Sequence, residues 1–169
     1  MVNINYGNMV VQWITLALLA IAWGSSFILM KKGLEYFSPQ EVAAYRISVA
    51  TLVLLPFSLP NLSVLNKNWR PLLTAGLFGN GIPAFLFAIA QTEIPSSLSG
   101  ILNSLTSLFT LAIGIIFFGL AFLRFQILGV VAALIGALGL IGFGSLREFG
   151  TYAKYASLVV IASACYGIA

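Results

Sequence analysis

The stretch Leu98–Gly119 reads LSGILNSLTSLFTLAIGIIFFG, a run with no charged side chain that nevertheless carries a row of hydroxyls and an amide. About 20 mostly apolar residues are what a helix needs to cross the hydrocarbon core of a bilayer. At about 100° per residue, Ser99, Asn103, Thr106, Ser107 and Thr110 fall within one arc of roughly 100°, and Gly114 continues it. The opposite face is Leu, Ile and Phe. Polar groups are costly in lipid, so such a stripe turns toward other helices or a wet cavity. Two readings stay open from this helix alone. The stripe lines a substrate path, or its hydroxyls bond their own backbone and tie neighbouring helices together.

Working outward, four more stretches are long and apolar enough to span: Val10–Met30, Val42–Pro60, Pro71–Ala90 and Phe125–Phe143. A further apolar run begins near Ala156 and reaches Ala169, which is short for a span. Of the 169 residues, 60% are hydrophobic and 7% are charged. A soluble domain carries about 25% charged residues, so a water-exposed surface cannot be assembled from this chain. The expected fold is an all-α polytopic membrane protein. Five transmembrane helices form one unit over 10–143, and 156–169 begins another, cut off. Met1–Met9 lacks the basic residues of a signal peptide, so the first span reads as a retained anchor.

The connections carry helix punctuation. Ser38 or Pro39 opens the second helix, and Pro95 followed by Ser96 and Ser97 offers an N-cap for the fourth. Leu120–Arg124 is so short that the fourth and fifth helices form an antiparallel hairpin. Charge barely distinguishes the two sides of the membrane. Lys67, Arg70 and Arg124 fall on one, and Lys31, Lys32, Arg147 and Lys154 on the other, a slight lean toward an outside N-terminus.

Composition excludes most chemistry. There is no His and no Asp, and the acids are Glu35, Glu41, Glu93 and Glu148. Ser-His and Cys-His nucleophile pairs, paired-Asp proteolysis, His-held haem and His-ligated zinc are therefore absent. Cys165 is the single cysteine. The chain is expected to be no enzyme, and no metal or cofactor is implied. No basic stripe with interleaved aromatics exists, so nucleic acid is not a partner. The expected partners are the lipid bilayer and a small-molecule substrate.

Other polar residues within the spans join the stripe of the fourth helix. In the third span Gly76, Asn80, Phe87 and Gln91 share a face, and Gly79-Asn80-Gly81-Ile82-Pro83 weakens the helix at mid-membrane. Pro83 removes a backbone hydrogen bond and favours a kink. Broken backbone at that depth is tolerated where protein or water covers it, and transporters place binding sites there. A packing kink without a ligand is the other reading, and both stay open. Trp23, Gly24, Ser25 and Ser26 make a polar notch in the first span. Arg46 lies about one turn inside the second span, where snorkelling to the headgroups is its default role and gating or substrate contact the alternative. Glu93 reads as a solvated loop charge. The candidate lining is Trp23, Ser25, Asn80, Gln91, Asn103, Thr106, Ser107 and Thr110. In the fifth span Gly129, Ala132, Ala133, Gly136 and Ala137 form a small-residue face for close helix packing.

Leu19-Ala20-Ile21-Ala22-Trp23-Gly24 can be laid beside Ala162-Ser163-Ala164-Cys165-Tyr166-Gly167, an aromatic-Gly pair recurring after five spans. An odd-numbered unit followed by a second copy gives inverted repeats. At these residues the chain resembles the drug/metabolite transporter superfamily in its EamA-like branch. The matching stretches are Ala22-Trp23-Gly24-Ser25-Ser26-Phe27, Ser38-Pro39 through Ala44-Tyr45-Arg46, and Ile94-Pro95-Ser96-Ser97-Leu98-Ser99-Gly100-Ile101-Leu102 through Phe109-Thr110. Phe118-Gly119, Gln126-Ile127-Leu128-Gly129 and Gly136 extend the match over nearly the whole chain.

The resemblance implies ten spans in two five-helix repeats, both termini cytoplasmic, in the inner membrane. It also implies a central cavity lined by the first, third and fourth helices of each half, and export or exchange of small metabolites by alternating access. Two departures stand out. Leu120 occupies the place after Phe-Gly where the family usually has an acid, and the second repeat has only begun at Ala169. A midplane site between repeats would then need the second repeat or a second copy of the chain. A non-transporting membrane subunit or remnant that packs with a partner is the alternative function. The substrate stays open, because neutral Ser, Thr, Asn and Gln suit amino acids, nucleosides, sugars and amphipathic drugs alike.

Overall fold

The structure is a computed structural model that describes residues 9–119 and 149–169, together with 125, 128, 129, 131, 132 and 135. The fifth span and its small-residue face, Arg124, Arg147 and Glu148 therefore lie mostly or wholly outside the described residues. Helix α1 runs Met9–Gly33 and α2 runs Pro39–Ser58, followed by a 3-10 turn at Leu59–Asn61. Helix α3 spans Ser63–Gly76 and passes through a π turn, Leu77–Gly81, into α4, Ile82–Glu93. Helices α5, Ser96–Asn103, and α6, Leu105–Phe118, follow, and α7 runs Phe149–Ile168. Four stretches are long and apolar enough to cross a membrane: Met9–Gly33, Pro39–Ser58, Lys67–Glu93 and Ser96–Phe118. All four were legible as apolar runs.

Local chemistry explains the ends. Ser38 is the N-cap of α2, and the Ser38-x-x-Glu41 spacing forms a reciprocal capping box. The Glu41 carboxylate accepts from the Ser38 backbone N–H and hydroxyl at 2.8 Å each. Pro39 in the first turn has no N–H to leave unpaired. At the fourth span the expected serine cap does not form. Pro95 is the N-cap in extended geometry, without a side-chain bond, and Ser96 is already helical. Gly119 closes α6 at φ 59, the left-handed conformation that suits glycine.

Two spans depart from regular helix. In the third, the Ile82 N–H reaches the Leu77 carbonyl, one residue farther back than in an α-helix. Pro83 has no N–H to offer Gly79, and the widened turn absorbs that loss where a simple kink was expected. In the fourth, Ser104 separates α5 from α6. Its N–H and hydroxyl both turn to the Ile101 carbonyl, at 3.0 and 2.6 Å, and this tightened turn interrupts a span expected to be continuous.

The buried cluster joins the end of α1 (Met30), the start of α2 (Val42, Ala43), α4 (Ala84, Phe87, Ala88, Ala90), Ile94, Leu98 of α5 and α7 (Val159, Ala162). Alanines on α4 and α7 let the two helices approach closely, and α7 makes its most extensive contacts with α4 and α6. Helix α7 opens at Phe149, well ahead of the apolar run starting near Ala156, and is 20 residues long. Its Ser163, fully buried, donates to the Leu102 carbonyl at 3.3 Å. Where α1 and α4 end side by side, the Lys31 ammonium donates to the carbonyls of Gln91 (2.6 Å), Thr92 (3.2 Å) and Ile94 (3.3 Å). Elsewhere α1 and α2 expose large side chains such as Leu18, Ile21, Leu52 and Phe57, the surface that lipid covers in a membrane.

Candidate solute cavity

A cavity of about 980 Å³ opens among α1, α2, the π turn, α4, α5, α6 and α7. Helix α1 contributes Trp23, Ser26, Phe27 and Met30. These positions follow i, i+3, i+4 and i+7, one face of a helix. Helix α2 contributes Arg46, the π turn Gly79 and Asn80, and α4 Phe87. The fourth span supplies Asn103, Ser104, Thr106, Ser107, Thr110 and Leu111, and α7 supplies Tyr166.

Of the candidate lining residues, Trp23, Asn80, Asn103, Thr106, Ser107 and Thr110 thus meet on one cavity, together with Arg46. Ser25 and Gln91 lie elsewhere. The Ser25 hydroxyl donates to the Ala22 carbonyl of its own helix at 3.1 Å, and its neighbour Ser26 takes the place on the cavity. Gln91 is fully buried away from the cavity, and neither atom of its amide has a hydrogen-bond partner among the described residues. Ser26, Phe27, Met30, Gly79, Phe87, Ser104, Leu111 and Tyr166 were not among the candidates. The helical spacing from Trp23 would have selected Ser26 over Ser25. Tyr166 had a signal too, since the internal repeat pairs it with Trp23, and the two side chains now line the same cavity.

The hydrogen-bonding capacity of the wall is partly committed. Thr110 donates to the Thr106 carbonyl at 2.8 Å, and Thr106 to Asn103 Oδ1 at 3.3 Å. These are the local bonds expected when hydroxyls satisfy their own helix. The side chains of Asn80 and Ser107 and the amide nitrogen of Asn103 have no partner among the described residues. Phe27, Phe87 and Tyr166 form a row, with ring centroids 5.6 and 6.0 Å apart. Arg46 reaches in from α2, its guanidinium 3.5 Å from Ser26 Oγ and 3.8 Å from Met30 Sδ. Among the described residues no group of His, Cys, Asp and Glu could hold a metal ion.

Membrane-length apolar helices around a polar and aromatic cavity define a multi-pass membrane protein. The chain belongs to the EamA-like transporter family, which it matches over residues 11–142. It is 30% identical over 132 residues to the uncharacterized inner membrane transporter YedA of Escherichia coli (strain K12), covering 76% of this chain and 42% of that one. It is 28% identical over 130 residues to a probable amino-acid metabolite efflux pump of Salmonella typhimurium, covering 73% and 40%. An uncharacterized transporter of Archaeoglobus fulgidus is 23% identical over 125 residues, covering 74% and 45%. The chain therefore spans less than half the length of these relatives. No solved structure matches it.

Proposed function

We propose that this chain is the first five-helix repeat of an inner-membrane exporter or exchanger that moves small metabolites by alternating access. The observation that carries the reading is the convergence of polar faces from the first, third and fourth spans on one cavity. A volume of about 980 Å³ sits at the upper end of the roughly 300–1,000 Å³ usual for small-ligand sites. Asn80, Asn103, Thr106, Ser107 and Thr110 would hold the solute by hydrogen bonds, with no chemistry done on it. The π turn and the Ser104 break both border the cavity, and irregular helices at a midplane site are a recurring transporter construction. The second repeat, or a second copy of the chain, would close the remaining wall.

The test is counterflow of a labelled amino-acid mixture into liposomes holding the purified chain. Amino acids come first because one relative is named for their metabolites. Uptake above that of empty liposomes, reduced at least severalfold by Asn103→Leu, is the expected result. No flux from monomer or oligomer would sink the transporter reading and leave a membrane subunit that packs with a partner.

A further inference from the structure

Among the described residues Arg46 is the one charged group on the cavity wall, with no counter-charge beside it. Glu41 is bound into the cap of α2, and neither Glu35 nor Glu93 lies on the cavity. No carboxylate among the described residues pairs with Arg46. Its two protein contacts, a hydroxyl at 3.5 Å and a thioether sulfur at 3.8 Å, are long and use little of a guanidinium that offers five N–H donors in a planar fork. Arg46 is seven positions past Pro39, about 10 Å along the helix axis at 1.5 Å per residue, and its side chain borders the cavity. A cation held there without a partner is costly, and a guanidinium fork fits a carboxylate bidentately.

The rest of the wall describes the remainder of the solute. Phe27, Phe87 and Tyr166 present rings in a row, and Trp23 lines the same cavity. Such a wall accepts a flat or branched apolar body. Among the described residues no acid on the wall stands ready for an ammonium group. We infer that the cavity recognises a small organic monocarboxylate with an apolar or aromatic body. Its carboxylate sits on Arg46 and its body lies against Phe27, Phe87 and Tyr166. The inference rests on the cavity being the solute site proposed above and names the class of solute.

The experiment measures equilibrium binding of two labelled probes to the full chain in lipid nanodiscs. Phenylacetate carries the charge, and phenylacetamide is its neutral near-isostere. Phenylacetate is expected to bind at least about tenfold tighter, the scale of one charge-assisted pair. Arg46→Gln should bring phenylacetate down to the level of phenylacetamide, with an unchanged far-UV circular dichroism spectrum showing that the variant is folded. Arg46→Lys should keep most of the preference. Equal binding of the two probes, or a preference that survives Arg46→Gln, overturns the inference and leaves the cavity reading intact. If neither probe binds, the inference falls. The transport reading falls with it only if the counterflow experiment also fails.

Discussion

Replacing Lys31 with Met tests how the first and third spans are held together. The Lys31 ammonium has three donors, and the structure gives it three acceptors: the carbonyls of Gln91, Thr92 and Ile94. Gln91 and Thr92 lie in the last turn of α4, where carbonyls lack intrahelical partners and the helix dipole is negative. Hydrogen bonds to a charged group contribute roughly 1.5–3 kcal/mol each, but Lys31 is only half-buried and water can reach part of the site. Discounted for that, Lys31→Met should cost about 2 kcal/mol, close to thirtyfold in the folded-to-unfolded ratio. The neighbouring Lys32 is exposed and bonds to none of these carbonyls, so Lys32→Met is a matched control that should change little. Arg in place of Lys31 should recover only part of the loss, because a planar fork does not converge on three carbonyls around one point. The assay is unfolding of the purified protein by increasing SDS in mixed micelles, followed by tryptophan fluorescence. Equal midpoints for Lys31→Met and Lys32→Met would refute the clamp.

Two further outcomes follow from packing. A Cβ added at Gly167 would stand 2.9 Å from Phe109 Cβ, 3.0 Å from the Phe109 carbonyl carbon and 3.1 Å from the Thr110 nitrogen, and backbone cannot rotate away. Gly167→Ala should therefore cost about 1–3 kcal/mol as overpacking in the same SDS titration. Gly24→Ala, with open space around the new methyl, should be neutral or slightly stabilising, and the reverse order would contradict the α6–α7 contact. Gln91→Met removes two buried amide atoms that have no partner among the described residues, and should raise stability by about 1 kcal/mol while leaving solute binding unchanged. A loss of binding in Gln91→Met would place that side chain in the solute path after all.

The spans were legible because lipid imposes a simple rule, about 20 apolar residues at a stretch, and the chain obeys it four times over the described residues. The stripe on the fourth span was legible for a related reason. Hydroxyls have few places to go in lipid, so their spacing reports their direction. What stayed hidden was set by contacts between elements or by backbone choices without a residue code. Ser104 looks like any other hydroxyl of the span until its N–H is seen to turn back to Ile101. Gln91 shares a nominal face with Asn80, but that face was drawn on an ideal helix. The π turn that holds Asn80 alters the phase, so Gln91 is buried away from the cavity. Lys31 was read for orientation alone, because its three acceptors lie about sixty positions away in sequence.

The turn at Leu77–Gly81 also bears on how members of this family are compared. A π turn holds one residue more than the α turn it replaces, so it amounts to a single insertion accommodated without unravelling the helix. A kinsman lacking one residue here would show a gap of one in an apolar stretch, a difference most alignments would slide into the nearest loop. Physically, the turn would close as ordinary α-helix, and everything beyond the gap would keep its angular phase. Phe87 would stay on the cavity wall, and only the widened turn with Gly79 and Asn80 would change shape. A difference of one letter in this stretch therefore marks a local change at the cavity, not a rotation of the span.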